Sequence, residues 1–216
     1  MSTGKRRPPG LVKRWWGVGA VAVLLVAIVV STRFLTPEEV AALNPPPFSA
    51  RQFASEAFPK VSKEIAESAT DITVLAPAIA DDPAAAGQEY GQNLGSGAFA
   101  FPVRATGSAT EVDANFVLLE VRGLPNGTEV RIPLGAAVSG TPVRDATGTI
   151  TFGDFTDQTA FQSVANEFKL KIESEVLGSI DPASLRGQQV TVVGAWSTGG
   201  PPNSYIIQPV SIEVAS

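Results

Sequence analysis

An α+β protein, with an N-terminal transmembrane helix and a small helical part ahead of an OB-fold-like antiparallel β-barrel, follows from three observations. Residues 15–32 form an uncharged run behind five basic residues. Residues 49–94 place apolar side chains at helical spacing, and from about residue 95 the period changes to that of strands. The strand-rich part then runs three strands, one helix, two strands. That is the order of the small Greek-key barrel of OB type, whose helix lies between its third and fourth strands.

The first element rests on charge. Lys5, Arg6, Arg7, Lys13 and Arg14 stand in a tail, residues 1–14, that has no acidic residue. An apolar run of roughly 18 residues, rising about 1.5 Å each, nearly crosses a hydrocarbon core of about 30 Å. Basic flanks stay in the cytoplasm, so this predicts a signal-anchor helix over 15–32, a cytoplasmic N-terminus and an extracytoplasmic C-terminal domain. Trp15 and Trp16 sit where indoles favour the headgroup region. A cleaved signal peptide is the competing reading, but the run is long for one and lacks an Ala-x-Ala-like site near Ser31. Removing the five bases from the chain's 16 leaves 11 against 21 acidic residues, a net charge of −10 for the exported part. Nucleic acid is thereby a poor partner.

Residues 33–48 follow as a juxtamembrane segment. Thr36, Pro37 and Glu39 have the pattern of a capped helix start, and Asn44 with Pro45, Pro46 and Pro47 ends it in a stiff linker. Residues 49–94 read as a helical subdomain, with Phe53, Phe58, Val61, Ile65, Ile72, Leu75 and Ile79 on its apolar face. Pro59 and Pro77 are expected to interrupt it, and Asp82 with Pro83 to start a last short helix. A glycine-rich break over 91–97 leads into the barrel, residues 95–216. Strands are expected over 98–109, 111–122 and 128–134, with 149–152 as a short strand within or beside the third and Asn126 and Gly127 as a turn between the second and third. The clearest helix covers 157–177, with Phe161, Val164, Phe168, Ile172 and Val176 in one stripe and Gly178 as C-cap. Strands over 188–196 and 205–214 close the order.

Composition removes most catalytic chemistry. Cysteine and histidine are both zero, which excludes disulfides, thiolate and imidazole metal sites, and nucleophile pairs built on either residue. Neither a Gly-x-Ser-x-Gly elbow nor a phosphate-binding Gly-x-x-x-x-Gly-Lys loop occurs. The expectation is a non-enzymatic protein without a cofactor or metal.

The densest polar stretch is 140–161. Thr141, Arg144, Asp145, Phe152, Asp154, Phe155, Asp157 and Gln158 are its candidate binding residues. Arg144 could hold a carboxylate or hydroxyl with Asp145 and Asp154 as acceptors and Phe152 or Phe155 as a stacking platform. Equally, Arg144 and an aspartate could pin the loop internally, with Phe155 as a core plug and Asp157 as a helix cap. Asp145, Asp154 and Asp157 lack the spacing of an EF-hand calcium loop.

The run Gly140, Thr141, Pro142, Val143, Arg144, Asp145, then Phe152, Gly153, Asp154, Phe155, Thr156, Asp157, Gln158, and later Gly187 to Ala195 and Ile207 to Val210, resembles the predicted periplasmic lipoproteins called domain of unknown function 2291. The resemblance implies an OB-type barrel with a separate helical part. It also implies genes beside sugar ABC transporters, hence an anchored docking or assembly role with transporter subunits as partners. A module that binds a carbohydrate is the alternative. This chain departs from the family in two places: it has no lipobox cysteine to be lipidated, and it carries Asp157 where relatives more often have Asn.

Overall fold

The computed structural model describes residues 12–31, 36 and 48–215, with side chains from residue 21 onward. The basic tail, the helix expected after Thr36 and the linker over 44–47 lie outside the described residues. Helix α1 spans Val12–Ser31, and its side chains over 21–31 are exposed. Among the described residues no helix is long and apolar enough to cross a membrane, so the expected span over 15–32 is not seen.

Phe48–Ser216 forms one compact unit. The helices expected as a subdomain over 49–94 are therefore built into the same body as the sheet. They are α2 (Ala50–Ser68), α3 (Ile72–Asp81) and α4 (Pro83–Tyr90), started by the side chains of Ser49, Asp71 and Asp82. Pro59 and Pro77 interrupt neither helix, contrary to expectation. Both prolines are exposed. The carbonyl that each leaves without an amide thus lies on the wet side of its helix, where water replaces the missing bond.

The sheet contains β1 (Thr70–Asp71), β2 (Gln92–Gly95), β3 (Ala98–Val112), β4 (Phe116–Glu120), β5 (Glu129–Pro133), β6 (Gln189–Ser197), β7 (Ser204–Ile206) and β8 (Gln208–Val214). Its order is β7-β5-β4-β3-β6-β8, with β1 and β2 beside β3. The two ends of that order, β7 and β8, are adjacent in sequence. One half of the last strand pairs in parallel with β5 and the other half antiparallel with β6, which nearly closes the barrel. Closure removes sheet edges that would otherwise template association.

Between β5 and β6 come the short helix α5 (Thr141–Asp145) and helix α6 (Gln158–Lys171), whose last turn widens into a π-helix over Ile172–Leu177. The helix between third and fourth barrel strands is thus present. Gly178 is the C-cap of that segment, as expected, but with a φ of −63° it is not in the left-handed conformation. An added Cβ there would stand 2.5 Å from the Ser174 carbonyl, so close approach is what calls for glycine.

Three strand expectations shift for local reasons. Residues 149–152 are not a strand: Thr151 donates its N–H (2.8 Å) and its hydroxyl (2.9 Å) to Asp154, and Phe152–Asp154 winds into a 3-10 turn. The glycine-rich break over 91–97 contains β2, which hairpins onto β3 through positive φ at Gly95, Ser96 and Gly97. The second strand begins at Phe116 rather than 111, because Asp113 accepts from the N–H groups of Asn115 (2.6 Å) and Phe116 (2.8 Å) and turns the chain.

Two cores share the barrel wall. Inside lie Phe101, Val103, Val117, Val130, Ile132, Val190, Val192 and Tyr205, capped by Ile72 and Leu75 of α3. Outside, Phe58, Val61 and Ile65 of α2 and Val164, Phe168 and Ile172 of the α6 segment pack on Ala100, Val193 and Ala195. Strand β6 is covered on both faces, which explains its nearly unbroken apolar run. Helices α5 and α6 approach closely at Gly140, where an added Cβ would overlap the Ala165 carbonyl and stand 2.6 Å from the Lys169 amide. Gly140→Ala is expected to lower stability by about 2–3 kcal/mol, the cost of overpacking. Gly153→Ala, where the nearest atom is 3.7 Å away, should stay within about 0.5 kcal/mol in the same urea titration.

Candidate functional site

The motif over 140–161 assembles around one ring. Arg144 is 4% exposed. Its guanidinium carbon stands 3.4 Å from the centroid of Phe161, its Nε and Nη2 donate to Asp145 Oδ1 (2.7 Å) and Oδ2 (3.0 Å), and its Nη1 donates to the Phe161 carbonyl (3.0 Å). A planar guanidinium suits this arrangement because it can fork onto a carboxylate and stack on an aromatic face at once. Short helix α5 presents it. Pro142 starts that helix, and Gly140 lets it lie against α6.

Of the remaining candidates, Phe155 and Phe152 meet the same ring. Phe155 meets Phe161 at 5.5 Å, and it also meets Phe48 at 5.5 Å and Phe53 at 5.2 Å, tying the start of α2 to the motif. Phe152 lies edge-on to Phe161 at 5.9 Å and is 52% exposed. Asp154 closes the 3-10 turn on Thr151. Asp157 caps α6 by accepting from the Ala160 N–H at 2.8 Å, and Gln158 is that helix's exposed first residue. The three aspartates thus point to three separate local tasks. Among the described residues no group of acidic side chains is arranged to hold a metal ion.

Three clefts lie elsewhere. A cleft of about 630 Å³ is bordered by Glu64, Glu67, Glu89, Tyr90, Gln92 and Thr147, and Thr149 donates to Glu64 across it at 2.7 Å. Another of about 290 Å³ runs along Thr106, Ser108, Glu120 and Arg122. A third, of about 310 Å³, lies between the loop ahead of α5 and the turn from β6 to β7. Of the sequence-derived candidates only Thr141 borders any of these, and it borders the third. The sequence reading missed Trp196, Ser204 and Gln208, which with Pro142 are buried residues bordering the third cleft. The available signal was a tryptophan beside the turn Gly199, Gly200, Pro201, Pro202.

Removing Arg144 from this setting strands the Asp145 carboxylate, whose side chain is 12% exposed. Arg144→Ala is expected to destabilise the protein by about 3–5 kcal/mol, as for a buried pair broken from one side. A variant that melts with wild type would release Arg144 and Asp145 from the scaffold role. For Asp154, the Thr151 backbone N–H, then the Thr151 hydroxyl, hold the carboxyl below its ordinary value of 3.8. A depressed folded pKa gives stabilisation that is present above that value and is lost as pH falls below it. Asp154→Asn should therefore lose less stability than wild type on acidification from pH 6 to about pH 3.

The comparisons with known proteins follow this architecture. A crystal structure of an OB-fold protein from Thermotoga maritima superposes with a TM-score of 0.62 at 19% identity, covering 78% of this chain and 99% of that one. At that identity the likeness shows the fold alone. No curated protein matches the sequence. The family model for predicted periplasmic lipoproteins matches residues 21–213, nearly the whole chain, and this supports an extracytoplasmic location. The chain belongs to the domain of unknown function 2291 family of predicted periplasmic lipoproteins.

Proposed function

We propose that this protein is a membrane-tethered extracytoplasmic accessory module, without catalytic activity, that docks onto or helps assemble a sugar ABC transporter. The observation that carries the tether is the pairing of a helix exposed over residues 21–31 with a sequence devoid of cysteine. A lipoprotein family member needs a hydrophobic anchor. Without a thiol to lipidate, the uncharged run over 15–32, most of it in α1, takes that place, and the five bases ahead of that run hold the N-terminus in the cytoplasm. The docking role is supported by how the polar motif is used. Arg144, Asp145, Asp154 and Asp157 are each engaged within the fold, which suits a rigid module better than an acid–base site. The transporter as partner rests on the family resemblance alone.

Two measurements test this reading. Full-length protein should remain in the membrane fraction after carbonate extraction, and protease added from the outer side should remove everything beyond about residue 33. A mature N-terminus at Ser31 or Arg33 would overturn the tether. Cross-linking in intact cells followed by purification should recover permease or solute-binding subunits, and their absence would overturn the transporter assignment.

A further inference from the structure

The third cleft has a lining unlike the other two. No charged side chain borders it, whereas Ser139, Thr141, Trp196, Thr198, Ser204 and Gln208 all do. Its volume of about 310 Å³ lies at the small end of ligand pockets, which run from about 300 to 1,000 Å³.

Two of its polar side chains are buried without being fully satisfied. Ser204 is 5% exposed, and its Oγ makes no hydrogen bond. Strand alternation sends Tyr205 into the barrel core and leaves Ser204 and Ile206 on the cleft side of β7. Gln208 is also 5% exposed. Its Oε1 accepts from the Ser139 N–H at 2.8 Å, which orients the amide, and its Nε2 has no hydrogen-bond partner among the described residues. Trp196 also borders the cleft, while its indole belongs to the barrel core. Phe101 stacks on the indole at 5.3 Å and 26°, and Tyr205 covers it at 4.7 Å and 46°.

We propose that this cleft binds a small uncharged polyol. A charged ligand would lose its hydration with no countercharge in the lining. A planar aromatic would find no free ring face to stack on. A purely apolar one would leave the Ser204 hydroxyl and the Gln208 amide unpaired. Hydroxyl groups both donate and accept, so a polyol satisfies Ser204 and the Gln208 Nε2 together. The site shares Thr141 and Pro142 with the start of α5 but not Arg144 or its partners, and it does not depend on the docking role.

The test uses the full chain in detergent micelles, labelled with 15N-tryptophan. The chain has three tryptophans, and the Trp196 indole signal is identified by its loss in Trp196→Phe. Glycerol, xylitol and D-glucose are titrated, with sodium acetate as the charged control. A polyol should shift the Trp196 signal saturably and acetate should not. The midpoint should rise about tenfold in Ser204→Ala and stay unchanged in Thr147→Ala, which borders a different cleft. Because the Ser204 hydroxyl has no partner to lose, Ser204→Ala should also melt within about a degree of wild type. The proposal falls if no polyol gives a saturable shift, or if acetate gives an equal one. It also falls if Ser204→Ala binds as wild type, or if that variant melts far lower and so reveals a structural hydroxyl.

Discussion

The cation of Arg144, sandwiched between the Asp145 carboxylate and the Phe161 ring, is the interaction on which the outer half of this fold depends. Burying a guanidinium is tolerable only when charge and hydrogen bonds are matched, and here the match comes from both helices that follow β5. The same ring collects Phe152 and Phe155, and Phe155 reaches Phe48 and Phe53 at the start of α2. One buried charge thus joins α5, α6 and α2 before any of them meets the barrel. The apolar packing of Phe58 on Phe168, at 5.4 Å, then presses that layer onto β3 and β6.

Barrel closure is a second constraint, and it acts through the last strand. Because β7 and β8 pair with different neighbours, the chain between Ile206 and Gln208 must turn from β5 toward β6. That turn brings Ser204 and Gln208 near the loop ahead of α5 and creates the uncharged cleft. The cleft is therefore a product of closure. Glycines serve the same end: at Gly194 a Cβ would overlap the Gln208 carbonyl, so β8 can cross β6 at that point only over a bare backbone.

These arrangements separate the roles that one polar motif might have combined. The charges of Arg144, Asp145, Asp154 and Asp157 are engaged within the fold, whereas two buried groups left without partners among the described residues, Ser204 Oγ and Gln208 Nε2, lie on β7 and β8 further along the chain. Its net charge of −10 beyond the basic tail suits a protein held near a membrane without adhering to anionic headgroups.

What the sequence by itself determined was local or compositional. Helix caps at Asp82 and Asp157, the turn at Asn126 and Gly127, the strand-helix-strand order and the charge asymmetry all follow from groups within a few residues of one another, where hydrogen bonding and periodicity decide the outcome. Even the misread segments, such as the turn at Thr151 and Asp154, turn on local bonds visible in the sequence. Tertiary structure alone decided which charges face inward. Arg144 has the same neighbours in sequence whether it reaches a ligand or stacks on Phe161, and only the approach of α6, permitted at Gly140, buries it. It alone also decided the cleft, since the Ser139 N–H meets Gln208 Oε1 across 69 residues of chain. No local pattern encodes such a meeting; the entropy of closing so long a loop is offset only by the collective burial of both cores.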